Sequence, residues 1–329
     1  MSTLVLAGDI GGTKTNLALY RVGPGETVTL TAEATFPSRD YPGLEPIVLE
    51  FLAAHPARPA AAAFGIAGPV VDGRVTATNL PWQITPEGLT EASGATRIQL
   101  MNDLESTAFG VFFLPPDQLF SLNAGLRRPG NRAVIAAGTG LGQAILFRHG
   151  ERYVPSATEG GHTDFAPRDE REIQLLNYLH RRFGRVSYER IVSGPGLRHL
   201  FDFVADELKR RVAPETRERM QREDPSAVIS RMGLSAACPA SAEAVEMFLS
   251  IYGAQAGNLA LTVLAVGGLY VAGGIVVKIL EGMQHGGFMH AFTAKGRQSP
   301  LMAQIPVDVV LNDKTSLLGA GHAARELLG

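Results

Sequence analysis

A strand, a glycine-rich turn and a second strand are predicted twice in this sequence, about 130 residues apart. The first copy places a glycine loop at residues 8–14 between apolar segments at 4–7 and 15–20, and the second places its loop at 138–142. Glycines in such loops bring backbone N–H groups close to a bound anion. Two hairpins of this kind facing each other would hold a polyphosphate between duplicated lobes.

Strands and helices alternate through the rest of the chain, which favours an α/β architecture with largely parallel sheets. Further strands are predicted at residues 60–66, 97–101, 133–137, 143–147, 269–272 and 307–311, and helices at 104–113, 170–183, 195–211, 214–222, 241–265, 276–283 and from 316 onward. Two consecutive prolines, Pro115 and Pro116, end the first of these helices and mark the best candidate for a domain boundary.

Composition excludes disorder and argues against nucleic acid or an anionic membrane as partner. Of 329 residues, 45% are hydrophobic and 19% are charged, against about 25% charged residues in typical domains. The formal charge is −2, so no strong field attracts polyanions. Residues 206–231 carry seven positive and six negative side chains, which predicts a solvated helical face.

Cysteine usage and apolar stretches predict a cytoplasmic protein that does not span a membrane. The single cysteine, Cys238, excludes an intramolecular disulfide and a zinc site with several thiolates. No secretory signal is expected, because no basic region or cleavage site precedes the first strand. Residues 247–277 lack charge, but polar residues and glycines interrupt them, and Gly253 and Gly257 are typical of a closely packed helix in a soluble core.

The first glycine loop resembles two nucleotide-binding motifs and matches neither. A Walker A loop has glycine directly before the lysine, where Thr13 stands here, and a Rossmann loop needs GxGxxG; both require a following helix, whereas residues 15–20 alternate as a strand does. We interpret the loop as a hairpin whose glycines expose backbone N–H groups and allow positive φ, which forms an anion-binding concavity. Lys14 would offset phosphate charge, and Asp9 would face a water-coordinated Mg²⁺ on the phosphates. The alternative is an ordinary glycine-rich hairpin.

A third glycine corner, Gly273-Gly274, follows the predicted strand at 269–272. Without side chains at these positions, a flat ring such as adenine would lie against the backbone. The alternative is a simple turn between strand and helix.

Asn102 and Asp103 stand where a predicted strand ends and a helix begins. Ligands of α/β sheets gather at the carboxyl ends of strands, and a helix N-terminus favours an ionised carboxylate, so Asp103 is a candidate general base. The alternative is a capping box, with Asn102 as the cap and Glu105 three residues later.

Polar side chains also cluster around residue 160. Glu159, His162 and Asp164 surround two glycines, and one interpretation makes these three residues metal ligands. Carbohydrate hydroxyls suit them better, because a hydroxyl donates to a carboxylate and accepts from an imidazole N–H. Glu189, shortly before Ser193, is a further candidate; alone it would be a surface charge at a helix start.

Six segments, in this order along nearly the whole chain, resemble the bacterial glucokinase family of the hexokinase/actin-like ATPase superfamily. They are Gly8-Asp9-Ile10-Gly11-Gly12-Thr13, Leu100-Met101-Asn102-Asp103, Gly138-Thr139-Gly140-Leu141-Gly142, residues 159–167, residues 189–196 and Val271-Ala272-Gly273-Gly274-Ile275. The resemblance implies a two-lobed actin-like ATPase (ribonuclease H-like) fold, with duplicated βββαβα-type domains and an interdomain cleft. It further implies a small domain of residues 1–115 plus 313–329 and a large domain of residues 116–312.

The same resemblance implies the chemistry: transfer of the γ-phosphoryl group of ATP to the 6-hydroxyl of glucose, with Mg²⁺ carried by the ATP phosphates, in a cytoplasmic homodimer. Asp103 would be the general base. The implied sugar ligands are Asn102, Asp103, Glu159, His162 and Glu189; the implied nucleotide ligands are Gly8, Asp9, Ile10, Gly11, Gly12, Thr13, Thr139, Gly140, Gly273 and Gly274.

Two departures from related sequences stand out. The related ROK sugar kinases carry a cysteine-rich zinc motif after the histidine, whereas Asp164-Phe165-Ala166-Pro167 follows His162 here. This places the chain with the branch that has no zinc. Lys14 stands where some relatives have asparagine.

Other functions remain open on the sequence alone. A kinase for mannose or an N-acetylhexosamine is the closest alternative, and the pocket around Asn79 to Trp82 and Glu159 would decide between hexoses. A sugar-sensing regulator would need a DNA-binding segment before the first strand, where only residues 1–3 stand. An actin-like filament protein would use the nucleotide loops but not the sugar cluster.

Overall fold

The computed structural model describes residues 3–24, 27–77 and 80–329, which form two compact units. The first unit comprises the chain up to Gln118, with Pro155–Ala157 and Asn312–Gly329; the second comprises Leu119–Val154 and Thr158–Leu311. Each unit has its own central sheet and its own hydrophobic core.

The first unit is built on a five-stranded sheet. Its strands are β1 (Thr3–Ile10), β2 (Lys14–Val22), β3 (Val28–Pro37), β4 (Ala61–Ile66) and β8 (Arg97–Asn102), with a small separate sheet of β5 (Val70–Val71), β6 (Arg74–Thr76) and β7 (Gln83–Ile84). Its helices are α1 (Leu44–Ala54), α2 (Pro86–Ser93), α3 (Asp103–Gly110) and α13 (Thr315–Glu326). The strand order is β3-β2-β1-β4-β8, in which β1 to β3 are antiparallel and β4 and β8 continue in parallel.

Side chains of this sheet are buried on both faces. In β1, Leu6 belongs to the same buried cluster as Phe51 of α1, whereas Val5 and Ala7 belong to a cluster with Leu317 of α13. Successive residues of a strand point to opposite faces, so the continuous apolar run of β1 reflects helices on both sides of the sheet.

The second unit repeats this strand order and adds one edge strand. Its strands are β9 (Leu119–Asn123), β10 (Arg132–Ala137), β11 (Leu141–His149), β12 (Arg152–Thr158), β13 (Gly268–Ala272) and β14 (Val307–Val310). Its helices are α4 (Glu170–Phe183), α5 (Gly194–Asp206), α6 (Pro214–Met220), α7 (Pro225–Leu234), α8 (Pro239–Thr262), α9 (Gly274–Lys278), α10 (Leu280–Gln284), α11 (Gly287–Thr293) and α12 (Ser299–Met302). The order β12-β11-β10-β13-β14-β9 matches that of the first sheet with β9 added, which confirms the predicted duplication.

Helix α8 lies at the centre of the second core. Two of its glycines allow α11 to approach closely: a Cβ at Gly253 would overlap the carbonyl of Phe288, and a Cβ at Gly257 would lie 2.6 Å from the carbonyl oxygen of Phe292. The interpretation of this glycine pair as a packing motif is therefore confirmed. In the described part of the chain, no helix is long and apolar enough to cross a membrane.

Several predicted elements differ from the structure. The strand β1 continues to Ile10, so the predicted loop at 8–14 is wrong in extent. The helix predicted at 195–211 ends at Asp206, and the one predicted at 276–283 is two short helices separated at Ile279. The missed elements are strands β3, β9 and β12, the small sheet, and helices α1, α2, α7, α11 and α12.

Candidate active site

The first glycine hairpin has a shorter turn than the sequence predicted. Gly8, Asp9 and Ile10 lie in β1, and Gly11, Gly12 and Thr13 form the turn. The strand residues pair with β2 on one side and β4 on the other, so only the turn lies outside the ladder. The Gly11 N–H closes it by donating to the Lys14 carbonyl at 2.9 Å. Neither Gly8 nor Gly11 has positive φ, and a Cβ at Gly8 would overlap the ring of Phe64.

Asp9 lies beside this turn with an enclosed carboxylate. The Nδ2 of Asn16 donates to Asp9 Oδ2 at 3.2 Å, and Thr35 donates to the Oδ1 of the same amide at 2.8 Å. Burial raises the pKa of Asp9, the Ser316 hydroxyl and the Asn16 amide lower it, and Asp313 raises it, with a net upward shift. A nearby cation would therefore favour the ionised form of this group.

Asn102 and Asp103 lie at the carboxyl end of β8, where α3 begins. Asn102 Oδ1 accepts a hydrogen bond from the Leu104 N–H at 2.9 Å, and Glu105 Oε2 accepts one from the Asn102 N–H at 3.4 Å. The capping box is therefore confirmed. Asn102 also donates to the carbonyl of Gly68 at 3.1 Å. Asp103 is half-buried at the start of α3, and its Oδ1 accepts a hydrogen bond from the Leu104 N–H at 2.9 Å. The capping role of Asn102 is compatible with a base at Asp103.

The second glycine hairpin has the turn Gly138-Thr139-Gly140 between β10 and β11. The Gly138 N–H donates to the Gly140 carbonyl at 2.9 Å, and the first amide of α5, from Gly194, donates to the Gly138 carbonyl at 2.9 Å. Neither Gly138 nor Gly140 has positive φ. A Cβ at Gly138 would meet open space, whereas one at Gly140 would overlap the Glu189 carboxylate, so the second glycine leaves room for that side chain.

Glu159, His162 and Glu189 come together in the second unit. His162 lies between the carboxylates: Nε2 is 3.9 Å from Glu159 Oε2, and Nδ1 is 3.9 Å from Glu189 Oε1. The side chains are 69%, 56% and 32% exposed in chain order, so a ligand can reach all three. Glu189 Oε2 accepts a hydrogen bond from the Leu141 N–H at 3.0 Å. Both 3.9 Å separations exceed hydrogen-bond length, so His162 makes no direct hydrogen bond to either carboxylate.

The segment that carries Glu159 and His162 is held against β11. A Cβ at Gly161 would overlap the Leu141 carbonyl, and one at Gly160 would overlap the side-chain amide of Gln143. The Gly160 N–H donates to Thr158 Oγ1 at 3.1 Å. Leu141 and Gln143 were not predicted to support this segment, because their contacts join parts of the chain that are distant in sequence.

The metal interpretation of this cluster is not supported. Asp164 forms an ion pair with Arg185, whose Nε lies 2.8 Å from Asp164 Oδ1, and Arg185 also donates to the His162 carbonyl at 2.6 Å. Within residues 3–24, 27–77 and 80–329, no three acidic, histidine or cysteine side chains form a group that could hold a metal ion.

A cavity of about 610 Å³ lies beside the second hairpin, within the second unit. Gly138, Thr139 and Gly274 line it, and two of these, Thr139 and Gly274, are among the predicted nucleotide ligands. Gly273 has a different role: its φ is +99°, and a Cβ there would overlap the Ala137 carbonyl, whereas a Cβ at Gly274 would meet open space. The backbone conformation at position 273 therefore requires glycine, whereas the missing side chain of Gly274 leaves space in the cavity.

One wall of this cavity comes from the charge-rich segment that was predicted to be a solvated face. The cavity is lined by residues 224–227 and Ser230, in and just before α7. Two basic residues, Arg198 and Lys278, line it as well. Asp224 caps α7 by accepting from the Ala227 N–H at 2.8 Å, and Ser226 Oγ donates to the Gly194 carbonyl at 2.8 Å. An aspartate followed by proline is a helix-start signal, and it would have predicted this helix.

Comparison with known proteins identifies the family. The chain matches the glucokinase family over residues 6–327. It is 41% identical to a glucokinase of Nostoc sp. strain PCC 7120, over 99% of this chain and 100% of that protein. The chain belongs to the glucokinase family.

Solved structures support the actin-like ATPase fold expected for a glucokinase of this type. A glucokinase from an Antarctic psychrotroph superimposes with a TM-score of 0.86 at 29% identity, covering 98% of this chain and 99% of that one. A ROK family glucokinase from Streptomyces griseus superimposes with a TM-score of 0.64 at 22% identity, covering 98% of this chain and 99% of that one. The predicted fold class is confirmed.

The residues expected to select the hexose are only partly described. Asn79 lies outside the described residues. Trp82 is 1% exposed, and its indole N–H donates to the Tyr41 carbonyl at 3.1 Å. In this glucokinase-family chain, Trp82 is therefore a core residue of the first unit.

Proposed function

We propose that this protein is a glucokinase that transfers the γ-phosphoryl group of ATP to the 6-hydroxyl of glucose. The observation that carries the proposal is the exposed cluster of Glu159, His162 and Glu189, whose spacing suits sugar hydroxyls. The match to glucokinases over the whole chain supports the same substrate. Asn102 would add an amide ligand for the sugar.

In the proposed chemical step, one residue acts as the base and several others orient the sugar. Asp103 would accept a hydrogen bond from the sugar 6-hydroxyl, orient its oxygen towards the γ-phosphorus and take its proton as the new O–P bond forms. The bond between the γ-phosphorus and the oxygen it shares with the β-phosphate would break in the same step, and ADP would leave. General base catalysis of this kind contributes roughly 10²–10⁴-fold. Glu159, His162 and Glu189 would hold the remaining hydroxyls, because fixing the nucleophile lowers the entropic part of the barrier.

The two glycine turns and the cavity would bind ATP. The turns, from Gly11 to Thr13 and from Gly138 to Gly140, would place amides around the phosphates, and the cavity lined by Gly274 would take the adenosine. Lys278 and Arg198 line the same cavity and would offset phosphate charge. The Streptomyces griseus glucokinase was solved with glucose and AMPPNP, which supports a nucleoside triphosphate as donor.

We propose that Mg²⁺ arrives on the ATP phosphates. Asp9, an enclosed carboxylate beside the first turn, is the described residue that fits such an ion. When bound, Mg²⁺ would neutralise charge on the transferred group. Asp9 would face its water ligands.

Organisation and location follow from the family resemblance. We propose a cytoplasmic homodimer, with a small domain of residues 1–115 plus 313–329 and a large domain of residues 116–312. The two compact units support these bounds, since they divide between Gln118 and Leu119 and again between Leu311 and Asn312. Sedimentation equilibrium would test the dimer.

A coupled assay tests the function. Glucose, mannose and N-acetylglucosamine are each supplied with ATP, ADP or polyphosphate, and initial rates give kcat/KM for every pair. We expect glucose with ATP to exceed the other pairs by about tenfold or more, because sites built on hydrogen bonds to hydroxyls discriminate strongly. Equal or faster turnover of another hexose, or another donor, would reject the assignment.

A further inference from the structure

A chain of polar contacts lies behind the sugar cluster, in the second unit. Lys295 Nζ donates to Asn258 Oδ1 at 2.6 Å and to the Ala254 carbonyl at 2.9 Å. Asn258 Nδ2 in turn donates to the Tyr188 hydroxyl at 3.1 Å and to Gln255 Oε1 at 3.1 Å. These hydrogen bonds thus connect Lys295, near the end of α11, to Tyr188, which directly precedes Glu189.

Tyr188 holds both parts of the sugar cluster. It is 4% exposed, and its ring packs edge-on against Phe165 at 5.6 Å between centroids. Its backbone N–H donates to the Thr163 carbonyl at 3.0 Å, next to His162. A shift of Tyr188 would therefore move Glu189 and the segment that carries His162 together.

Lys295 fixes the direction of the Asn258 amide. An ammonium group only donates hydrogen bonds, so the amide oxygen must face Lys295 and the NH₂ group must face Tyr188. A reversed amide would present its NH₂ to the ammonium and its oxygen to Gln255 Oε1, leaving both pairs repulsive. Lys295 thereby determines that the Tyr188 hydroxyl faces the NH₂ group of the Asn258 amide and not its oxygen.

The Lys295 side chain crosses α8 at Gly257, where the helix has no side chain. A Cβ at this position would lie 2.7 Å from Lys295 Cε, which is closer than carbon atoms approach. Burial lowers the pKa of Lys295 to about 8, with Arg168 lowering it and Glu172 raising it, so the ammonium form predominates at neutral pH. The second glycine of the α8 pair therefore serves this contact as well as helix packing.

We propose that Lys295, Asn258 and Tyr188 form a positioning chain that holds Glu189 and His162 in register for the sugar hydroxyls. None of the three touches the reacting atoms in this scheme; they act through the cluster. The inference rests on the proposed function and adds to it the residues that determine sugar affinity from outside the pocket.

A double-mutant cycle tests the chain in the full-length protein. Tyr188→Phe removes one hydroxyl and keeps the ring, and Lys295→Met removes the ammonium while keeping a flexible apolar stem. Tyr178→Phe is the matched control, because its hydroxyl also accepts a hydrogen bond, from Arg182 at 3.2 Å, but lies on α4. KM for glucose, KM for ATP and kcat are measured for each variant and for the double variant.

We expect each single variant to raise KM for glucose about fivefold, the fold-change that corresponds to one lost buried hydrogen bond. KM for ATP and kcat should stay within about twofold. The double variant should have about the same KM for glucose as either single variant, because each substitution interrupts the same positioning chain. An unchanged KM for glucose in Tyr188→Phe, or effects that multiply in the double variant, would overturn the proposal. If Lys295→Met does not fold, Tyr188→Phe alone decides. Absence of turnover in the unmodified chain would reject the proposed function instead.

Discussion

At the residue scale, His322 shows how the surroundings of one side chain determine its charge. It lies in α13, 8% exposed, and its ring stacks on Phe113 with 3.3 Å between centroids and 4° between planes. Its Nδ1 has no hydrogen-bond partner among the described residues. Burial, with a smaller contribution from the charge of Arg325, lowers the pKa of His322 from the usual 6.5 to about 4. The folded protein therefore keeps this histidine neutral.

This shift predicts a loss of stability in mild acid. Between about pH 6.5 and pH 4 the unfolded chain binds a proton at His322 that the folded chain does not, so stability falls as the pH falls through this window and is unaffected above it. The cost at pH 5 is on the order of 2 kcal/mol. Urea unfolding at pH 7.5 and pH 5, for the unmodified chain and His322→Gln, measures it. We expect a smaller pH difference in the variant; equal differences would contradict the account.

At the scale of elements, the two glycines between β13 and α9 have separate roles. Gly273 has left-handed backbone and no room for a Cβ, whereas Gly274 lines the cavity. The two glycines were predicted to form a single corner, because the sequence does not indicate which of two adjacent glycines has the left-handed conformation.

The pair supplies a matched test. Gly273→Ala should destabilise the protein by about 2 kcal/mol or more, since strained φ and overlap with Ala137 add. Gly274→Ala should leave the thermal midpoint within about 1 °C and raise KM for ATP roughly threefold or more, because its methyl group enters the cavity. Thermal unfolding and initial rates measure both. A destabilised Gly274→Ala protein with normal KM for ATP would show that the cavity is not the nucleotide site.

Local patterns predicted the elements whose signals are local. The apolar runs of β4, β8 and β10 and the amphipathic α4 were predicted within a few residues of their bounds. Gly8 was assigned to a loop because glycine weakens strands, yet in the fold it makes room for Phe64. The 3.9 Å spacing of His162 from both carboxylates could not be predicted, since Glu189 is brought there by the Leu141 amide and the anchoring of Tyr188.

At the scale of the whole molecule, the duplicated sheet explains why the glycine hairpins recur. The hairpins join strands at corresponding places in the shared strand order, β1 to β2 in the first sheet and β10 to β11 in the second, so each presents a turn at the same topological position. The proposed function gives the two copies different roles. The proposed base belongs to the first unit, and the exposed Glu159, His162 and Glu189 belong to the second. The proposed activity is therefore a property of the complete chain.

Replacement of one oxygen tests this account most directly. Asp103→Asn keeps the shape of the side chain and the Asn102 cap but removes the basic carboxylate. The turnover number is measured in the coupled assay, and glucose affinity is measured separately by calorimetry. We predict that kcat falls at least about 10²-fold while the Kd for glucose changes by less than about threefold. A variant that phosphorylates glucose at close to the original rate would contradict the assignment of Asp103 as the base.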